Sequence, residues 1–348
     1  SEYRTALLGS SLFSSAELFA GLITAAVIGI GVVTGVEAGM SAGTLLAFLF
    51  LVNLLVQPIQ TLVETLNNAQ SAAAGVRRIL RILDSKVEID DPERPVPLPA
   101  GALDIDFEDV TFAYNDETTL FRHLDVHIDA GTRVAVVGET GSGKSTFSKL
   151  LTRIHDPGSG RVLVGGVPLT SVAIDDLRSR LAYVPQEGFL FAATIADNIR
   201  YGKPGAGDDE ILAAIRDLEL ESWLDQLPAG PATPVGERGG QLSAGERQLV
   251  ALARAWIAAP DVLVLDEATS AVDPALEIQT RRAMERLITG RTSVTVAHRL
   301  STAEAADEVL VFADGRLVER GTHHELVGHG GVYTALYADW VRGTQEVR

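Results

Sequence analysis

The chain of 348 residues contains no cysteine. Disulfides, thiolate metal ligands and a cysteine nucleophile are therefore excluded. Basic residues are also scarce, with 29 Lys and Arg against 46 Asp and Glu and a net charge of -17. Because nucleic-acid binding needs a basic surface that displaces counterions, this balance argues against a nucleic-acid partner. The chain does not begin with Met and no basic segment precedes its first apolar run, so a secretory signal peptide is not expected.

Charged residues are missing from two long runs near the N-terminus. The 19 residues Leu18–Val36 carry no charge, and 26 further uncharged residues follow Glu37. A helix of 19 residues is about 28 Å long, which is close to the thickness of a bilayer core. We therefore predict two membrane-spanning helices at about 18–36 and 42–62, with a cytoplasmic extension to residue 83. The alternative interpretation is a pair of buried core helices in a soluble protein.

The basic residues that flank these runs predict the orientation of the helical hairpin. The loop near Glu37 has no Lys or Arg, whereas Arg4 precedes the first run. Four basic residues follow the second run: Arg77, Arg78, Arg81 and Lys86. Because Lys and Arg are enriched on the cytoplasmic side of membranes, both ends of the hairpin are predicted to face the cytoplasm.

A stripe of polar residues follows one face of the second predicted helix. Its members recur at intervals of four and three residues, and they are Asn53, Gln57, Gln60, Glu64 and Asn67. Such spacing places side chains on one helical face. Polar groups at membrane depth face protein or water and not lipid. The stripe is predicted to line a translocation pathway, and the alternative is hydrogen bonding to neighbouring helices.

The pattern changes after the predicted membrane segment. Residues 84–101 contain four prolines and mixed charges, which predicts an extended linker. From Ala102 to about residue 341, short β-branched runs alternate with helical patterns. Continuous apolar strands separated by helices predict an α/β domain with a largely parallel sheet that is buried on both faces.

The segment GETGSGKST fits the P-loop pattern G-x-x-x-x-G-K-[ST]. It follows the apolar strand RVAVV and precedes the helical run FSKLL, which is the context that this motif requires. The predicted ATP-contacting residues are Gly138, Glu139, Thr140, Gly141, Ser142, Gly143, Lys144, Ser145 and Thr146. Backbone N–H groups of such a loop wrap phosphates, Lys144 is expected to reach the β- and γ-phosphates, and the Ser145 hydroxyl is expected to ligate Mg²⁺.

A second candidate site stands at the end of the apolar run VLVLDE. Open α/β sheets bind ligands at the carboxyl ends of their strands, and Asp266 and Glu267 are placed there. Asp266 is predicted to bind Mg²⁺, and Glu267 is predicted to act as the general base that polarises the attacking water. An Asp-Glu pair after a strand can also be a helix cap, so the prediction depends on the P-loop upstream.

The segment LSAGERQ, between the P-loop and VLVLDE, resembles the signature LSGGQ of ATP-binding-cassette (ABC) proteins. Ala244 and Glu246 stand where Gly and Gln are commonest in that family, but Ser243 and Gly245 are kept. The resemblance implies that these two residues contact the ATP bound to another subunit. The segment VGERG (235–239), just before the signature, resembles the one that contacts coupling helices in exporters with a fused permease.

Four further positions match the family in order along the chain. The resemblance implies that Tyr114 stacks on adenine and that Gln186 contacts Mg²⁺ or the attacking water. It also implies that Asp273 crosses a dimer interface and that His298 contacts the γ-phosphate. Taken singly, each has an ordinary alternative, such as a strand aromatic for Tyr114 or a surface amide for Gln186.

The resemblance to exporter-type ABC transporters implies an ATP-hydrolysing transporter subunit, with ATP and Mg²⁺ as cofactors, that works as a head-to-tail dimer. It is expected to be an integral membrane protein of the bacterial inner (plasma) membrane, with its ATPase domain in the cytoplasm. Family members have six spanning helices, so four more helices are expected as partners. The transported substrate, the direction of transport and the identity of the second ABC subunit stay open. An importer on the exporter architecture, a non-hydrolysing subunit and a non-transport ABC ATPase are the alternatives.

Overall fold

The structure is a computed structural model that describes residues 21–35, 41–85, 87, 89–115, 118–186, 188–266, 274–297 and 299–346. The chain divides into two compact units, Ser1–Val87 and Glu88–Arg348. The second unit combines strands and helices, and it holds the P-loop and the signature segment.

The described part of the first unit contains two apolar helices. Helix α1 covers Gly21–Gly35, and α2 covers Ala42–Leu83. The Ser41 hydroxyl caps α2 by accepting a hydrogen bond from the Thr44 N–H. Among the described residues, α2 alone is long and apolar enough to cross a membrane. The predicted first span extends past the described part of α1 at both ends, so the two-span arrangement stays a prediction.

Small residues allow the two helices to approach each other. A Cβ atom added at Gly31 would collide with the side chain of Leu45. Helix α2 is continuous through the polar stripe, so the helical spacing on which the stripe depends is present. Gln57, Glu64 and Asn67 are exposed within the described structure. The side chains of the other two stripe members lie outside the described set.

The predicted linker is extended, and part of it is hydrogen-bonded to the second unit. None of its described residues is in a helix or strand, and several bond to the second unit. The Ile174 N–H donates to the Asp91 carboxylate at 2.6 Å, and the Val96 N–H donates to the Ser171 carbonyl at 2.8 Å. The Leu98 side chain is buried in the core of this unit. The segment therefore lies along the domain surface from about residue 89 onwards.

The second unit contains two sheets. An antiparallel sheet has the order β2-β1-β4-β5, and a six-stranded sheet has the order β10-β9-β3-β8-β7-β6. The first sheet is formed by β1 (Ile105–Asn115), β2 (Thr118–Ile128), β4 (Ser159–Val164) and β5 (Val167–Pro168). The second is formed by β3 (Arg133–Gly138), β6 (Leu181–Val184), β7 (Val262–Asp266), β8 (Thr292–Val296), β9 (Glu308–Ala313) and β10 (Arg316–Gly321). The second sheet is parallel except for β10, which confirms the predicted α/β fold.

Ten helices of the second unit are described. They are α3 (Lys144–Leu151), α4 (Ile174–Arg180), α5 (Ile195–Arg200), α6 (Asp208–Asp217), α7 (Glu221–Leu224), α8 (Ala244–Ala258), α9 (Pro274–Ile288), α10 (Leu300–Ala305), α11 (His323–Gly328) and α12 (Val332–Glu346). Helices α5 to α8 share a separate apolar core with β6, β7 and α9. This core forms the helical part of the domain.

The main core joins the two sheets through α3. Phe147 of α3 stacks on Phe107 of β1, with ring centroids 4.3 Å apart, and contacts Phe312 of β9 at 5.4 Å. All three side chains are almost fully buried. Because α3 begins at the P-loop, this packing holds the loop at the carboxyl edge of the parallel sheet.

A histidine on the antiparallel sheet makes folding stability depend on pH. His127 Nδ1 lies 2.6 Å from Asp106, and its Nε2 lies 3.2 Å from Asp129. The hydrogen bonds to Asp106 and Asp129 raise the pKa of His127 above its ordinary value of 6.5, although burial slightly opposes them. The stabilisation is therefore full below pH 6.5 and is lost as the pH rises through the raised pKa.

We expect His127→Gln to destabilise the chain more at pH 5.5 than at pH 8.5. The difference should be small, because exposed ion pairs contribute about 0.2–1 kcal/mol. Thermal unfolding of the full chain in detergent at both pH values measures it. The exposed His324 provides the matched control as His324→Gln. An equal loss at both pH values would contradict the assignment.

Candidate ATP-binding site

The turn between β3 and α3 requires glycine at two places. Gly138 and Gly143 have φ angles of 150° and 110°, in the region that favours glycine. A Cβ atom at Gly138 would collide with the Phe312 carbonyl, and one at Gly143 would lie 2.7 Å from the Phe121 ring. No side chain caps α3 at Gly143. In the part of the chain that the structure describes, the first N–H groups of α3 are thus left for a ligand, and a helix N-terminus with free N–H groups favours anions.

Lys144 is folded back onto this turn. Its side chain is only 6% exposed, and Nζ donates to the carbonyls of Gly138 and Glu139 at 2.7 and 2.8 Å. Burial lowers the pKa of Lys144, and the nearby charge of Asp266 opposes that effect. The two carbonyl partners of Lys144 carry no net charge, so its positive charge is not neutralised by them and attracts an anion. The net negative charge of the chain does not remove this local field.

Two hydroxyls of the loop differ in their environment. The Ser142 Oγ is buried and has no hydrogen-bond partner within the described structure. Ser145, in the first turn of α3, is exposed. Buried polar atoms normally have partners, so an orphaned hydroxyl in a glycine-rich turn is suited to a bound ligand. Ser145 offers a free oxygen at the same helix end.

Tyr114 lies next to this turn, although it is 30 residues away from Lys144 in sequence. Its hydroxyl is 3.0 Å from the Thr146 Oγ1, and its ring packs edge-on against Phe112 and His155. The ring is 53% exposed, which leaves surface for a ligand to stack on. A cleft of about 420 Å³ is lined by Tyr114 together with Gly141, Gly143, Lys144 and Ser145. The structure therefore brings the predicted adenine-stacking residue and the predicted phosphate loop into one cleft.

Asp266 ends β7 at the same edge of the sheet as the P-loop. Strands β3, β8 and β7 are adjacent and parallel, so their carboxyl ends meet there. The Tyr183 hydroxyl donates to the Asp266 carboxylate at 3.3 Å, and burial, together with this carboxylate, raises the pKa of Tyr183 to about 12. Tyr183 was not foreseen from the sequence, although it lies only three residues before Gln186. Gln186 is exposed just beyond the carboxyl end of β6, the strand beside β7.

The described residues suit a magnesium ion that takes most of its ligands from elsewhere. They contain no group of three or more His, Asp or Glu side chains that could hold a metal. The oxygen donors at the sheet edge are the Ser145 hydroxyl, the Asp266 carboxylate and the Gln186 amide. Mg²⁺ prefers oxygen ligands and is usually held by one or two protein groups together with substrate phosphates and water. Three other predicted residues, Glu267, Asp273 and His298, lie outside the described residues.

The signature residues lie on the helical part of the domain. Ser243 is the N-cap of α8, and Gly245 is buried in its first turn. Helix α8 contacts α5, α6, α9 and β6. The cleft lining described above is drawn from the β1–β2 hairpin and the P-loop. The predicted signature residues are therefore not among the residues that line the cleft.

A β-strand, a glycine turn with a buried lysine and an acidic strand end define the second unit as a P-loop NTPase domain. Residues 121–270 match the family model for ABC transporters. A fatty acid ABC transporter ATP-binding/permease protein of Mycobacterium bovis is 42% identical over 305 residues, which cover 88% of this chain and 48% of the relative. An ATP-dependent lipid A-core flippase of Syntrophus aciditrophicus is 36% identical over 321 residues, covering 92% of this chain and 53% of the relative.

A solved structure is similar along nearly the whole chain. It is described as a bacterial Atm1-family ABC exporter with ATP bound, and it has a TM-score of 0.71 and 32% identity. The match covers 97% of this chain and 59% of that chain. The chain belongs to the ABC transporter family. The domain that matches this family, at residues 121–270, implies ATP binding. It spans about half the length of the curated relatives that it matches.

We expect Gly143→Ala to weaken nucleotide binding more than Gly141→Ala. Both positions have a positive φ, which costs a non-glycine residue about 1–2 kcal/mol. Of the two, only Gly143 would bring the new methyl group against a ring, because no atom of the described residues lies within 4 Å of a Cβ at Gly141. Titration with a fluorescent ATP analogue, together with thermal unfolding, separates lost binding from lost stability. Equal losses of affinity in the two variants would show that the Phe121 contact does not matter.

Proposed function

We propose that this chain is the ATP-hydrolysing part of an exporter-type ABC transporter, in which ATP binding and hydrolysis drive movement of a substrate across a membrane. The observation that carries the proposal is the cleft that joins Tyr114 to the P-loop, in a chain that also contains the long apolar helix α2. The membrane is proposed to be a bacterial inner membrane, with the second unit in the cytoplasm. An importer built on the same architecture remains the second candidate for direction.

Within the site, the P-loop N–H groups and Lys144 are proposed to hold the phosphates, and Tyr114 is proposed to stack on the adenine. Lys144 would release its two carbonyl partners and turn toward the β- and γ-phosphates. Mg²⁺, when bound with ATP, neutralises phosphate charge in reactions of this class. Ser145, Asp266 and Gln186 are the residues proposed to hold it.

The hydrolytic step is proposed to use residues of the segments after β7 and β8. Glu267 would accept a proton from the water that attacks the γ-phosphate, and His298 would contact that phosphate. Asp273 is proposed to cross to the second ABC subunit. Ser243 and Gly245 would contact the ATP held by that subunit's P-loop, so each complete site needs two chains.

The substrate is proposed to be an amphiphile of the lipid type. Support comes from the names of two relatives, a fatty acid transporter and a lipid A-core flippase. The stripe on α2 offers Gln57 and Glu64 on a helix that is otherwise lined with exposed apolar side chains. A surface of mixed polarity suits a molecule with an apolar chain and a polar head. The four further helices are proposed to enclose the pathway together with α1 and α2.

Glu267→Gln should abolish steady-state ATP hydrolysis and keep ATP binding. The amide cannot act as a base, whereas the phosphate-binding loop is unchanged. Loss of a general base is expected to slow turnover by roughly 10²–10⁴-fold. Phosphate release by the complete transporter, reconstituted in lipid, measures turnover, and nucleotide titration measures binding. Hydrolysis near the wild-type rate would sink the role of Glu267.

The dimeric mechanism predicts rescue between two inactive variants. Lys144→Ala removes a phosphate ligand, and Ser243→Arg blocks the signature that faces the other subunit. If the two subunits are identical, a mixed dimer has one site that carries both lesions and one site that carries neither. The mixture should then recover a substantial part of the ATPase activity. No recovery would favour a non-identical second subunit, and full activity of a dilute monomer would rule out shared sites.

A further inference from the structure

The first turn of α8 is closed by a reciprocal pair of hydrogen bonds. The Ser243 N–H donates to the Glu246 Oε2 at 2.7 Å, and the Glu246 N–H donates to the Ser243 Oγ at 3.3 Å. This arrangement is a capping box. It occupies two of the N–H groups at the helix end. Within the described structure, no hydrogen bond occupies the N–H groups of Ala244 and Gly245 or the proton of the Ser243 hydroxyl, so these donors are left for another acceptor.

The second carboxylate oxygen of Glu246 has its own partner. The Trp223 indole N–H donates to the Glu246 Oε1 at 3.2 Å. The Trp223 side chain is only 4% exposed, so the oxygen that it binds is turned toward the protein interior. Burial raises the pKa of Glu246, but the hydrogen bonds from Ser243 and Trp223 outweigh that effect and lower it. The side chain therefore stays ionised and is held from both sides.

Trp223 is held in place by packing and hydrogen bonds of the helix that carries it. It lies in the short helix α7, and the preceding residue, Ser222, accepts a hydrogen bond from the Gln279 amide at 3.0 Å. Gln279 belongs to α9. Trp223 also belongs to the buried core of the helical part of the domain. The indole thus connects the first turn of α8 to α7, and Ser222 connects α7 to α9.

We propose that Trp223 and Glu246 form a positioning pair that orients the free donors of α8 toward nucleotide. The proposal rests on the proposed function, in which Ser243 and Gly245 contact the ATP of the second subunit. A carboxylate at this helix end would repel a phosphate if it turned outward. The indole keeps the charge on the interior side while the capping box keeps Ser243 in place. A carboxylate suits the role because each of its two oxygens accepts from one donor.

The test is a double-mutant cycle that reads KM for ATP and kcat separately. Trp223→Phe keeps the ring and the charge of Glu246 but removes the indole N–H. We expect this variant to raise KM by about threefold to tenfold with little change in kcat, because the lost interaction affects nucleotide binding. In the Glu246→Gln background one donor must already face an NH₂ group. In that background, the fold-rise of KM caused by Trp223→Phe should be at least about three times smaller than in the otherwise unmodified chain.

Trp256→Phe is the matched control. Trp256 lies in the last turns of α8 and also donates its indole N–H to a carboxylate, that of Asp217 at 3.4 Å. It is far along the helix from the capping box, so its replacement should leave KM unchanged. An equal rise of KM in both tryptophan variants, or the same effect of Trp223→Phe in both backgrounds, would overturn the positioning role.

A second readout covers the case in which Trp223→Phe is poorly folded. Glu246→Gln alone should speed amide hydrogen exchange in residues 243–246, and exchange in the last turn of α8 should not change. Unchanged exchange at the first turn would overturn the proposal. Failure of the proposed function has a different signature, because the unmodified transporter would then not hydrolyse ATP. Normal hydrolysis that Lys144→Ala abolishes, with no effect of Trp223→Phe, would reject the positioning pair alone.

Discussion

The turn from β3 into α3 presents N–H groups to an anion, and it lies in close contact with Phe312 on one side and Phe121 on the other. The Phe312 carbonyl limits the space at Gly138, and the Phe121 ring limits it at Gly143. Both of these neighbours come from strands, one in each sheet. The stacking of Phe147 on Phe107 then ties the helix after the turn to the antiparallel sheet. The geometry of the anion site is thus a consequence of how the two sheets pack.

The same packing accounts for the local electrostatics. A chain with a net charge of -17 places a buried lysine and the open end of a helix at one sheet edge. Asp266 approaches the same edge because β7 is parallel to β3 and is separated from it by β8 alone. Burial lowers the pKa of Lys144, and the negative charge of Asp266 partly offsets that decrease. Binding of a polyanion here depends on these fixed groups and not on the overall charge.

The helical part of the domain has a core of its own, and the signature segment is packed on this core. Helix α8 is anchored by α5, α6 and α9, and its first turn is organised by Ser243, Glu246 and Trp223. The cleft at the P-loop is built from other elements. A domain arranged in this way carries a nucleotide-binding cleft and, on a separate core, a helix N-terminus that is capped by the exposed Ser243. That arrangement is consistent with sites that are shared between two chains.

Local sequence determined the parts of this protein that depend on neighbouring residues. The spacing in GETGSGKST, the apolar run before Asp266 and the uncharged length of α2 each predict one element and its chemistry. The parallel sheet followed from alternating apolar strands and helices, whereas the antiparallel sheet of β1, β2, β4 and β5 was not predicted. Its hairpins β1–β2 and β4–β5 are local, but the pairing of β1 with β4, such as Phe107 with Val162, joins distant parts of the chain that no local pattern relates.

Only the tertiary structure decided which distant residues meet. Tyr183 reaches Asp266 because β6 is the neighbour of β7 in the sheet, and Tyr114 reaches Thr146 because the antiparallel sheet packs against α3. The proline-rich stretch lies against the domain because Asp91 and Val96 find partners near α4. Glu246 is a departure from the commonest signature in sequence, and its partner Trp223 lies 23 residues away. Such pairs depend on side chains that only folding brings together, so the sequence by itself could not reveal these contacts.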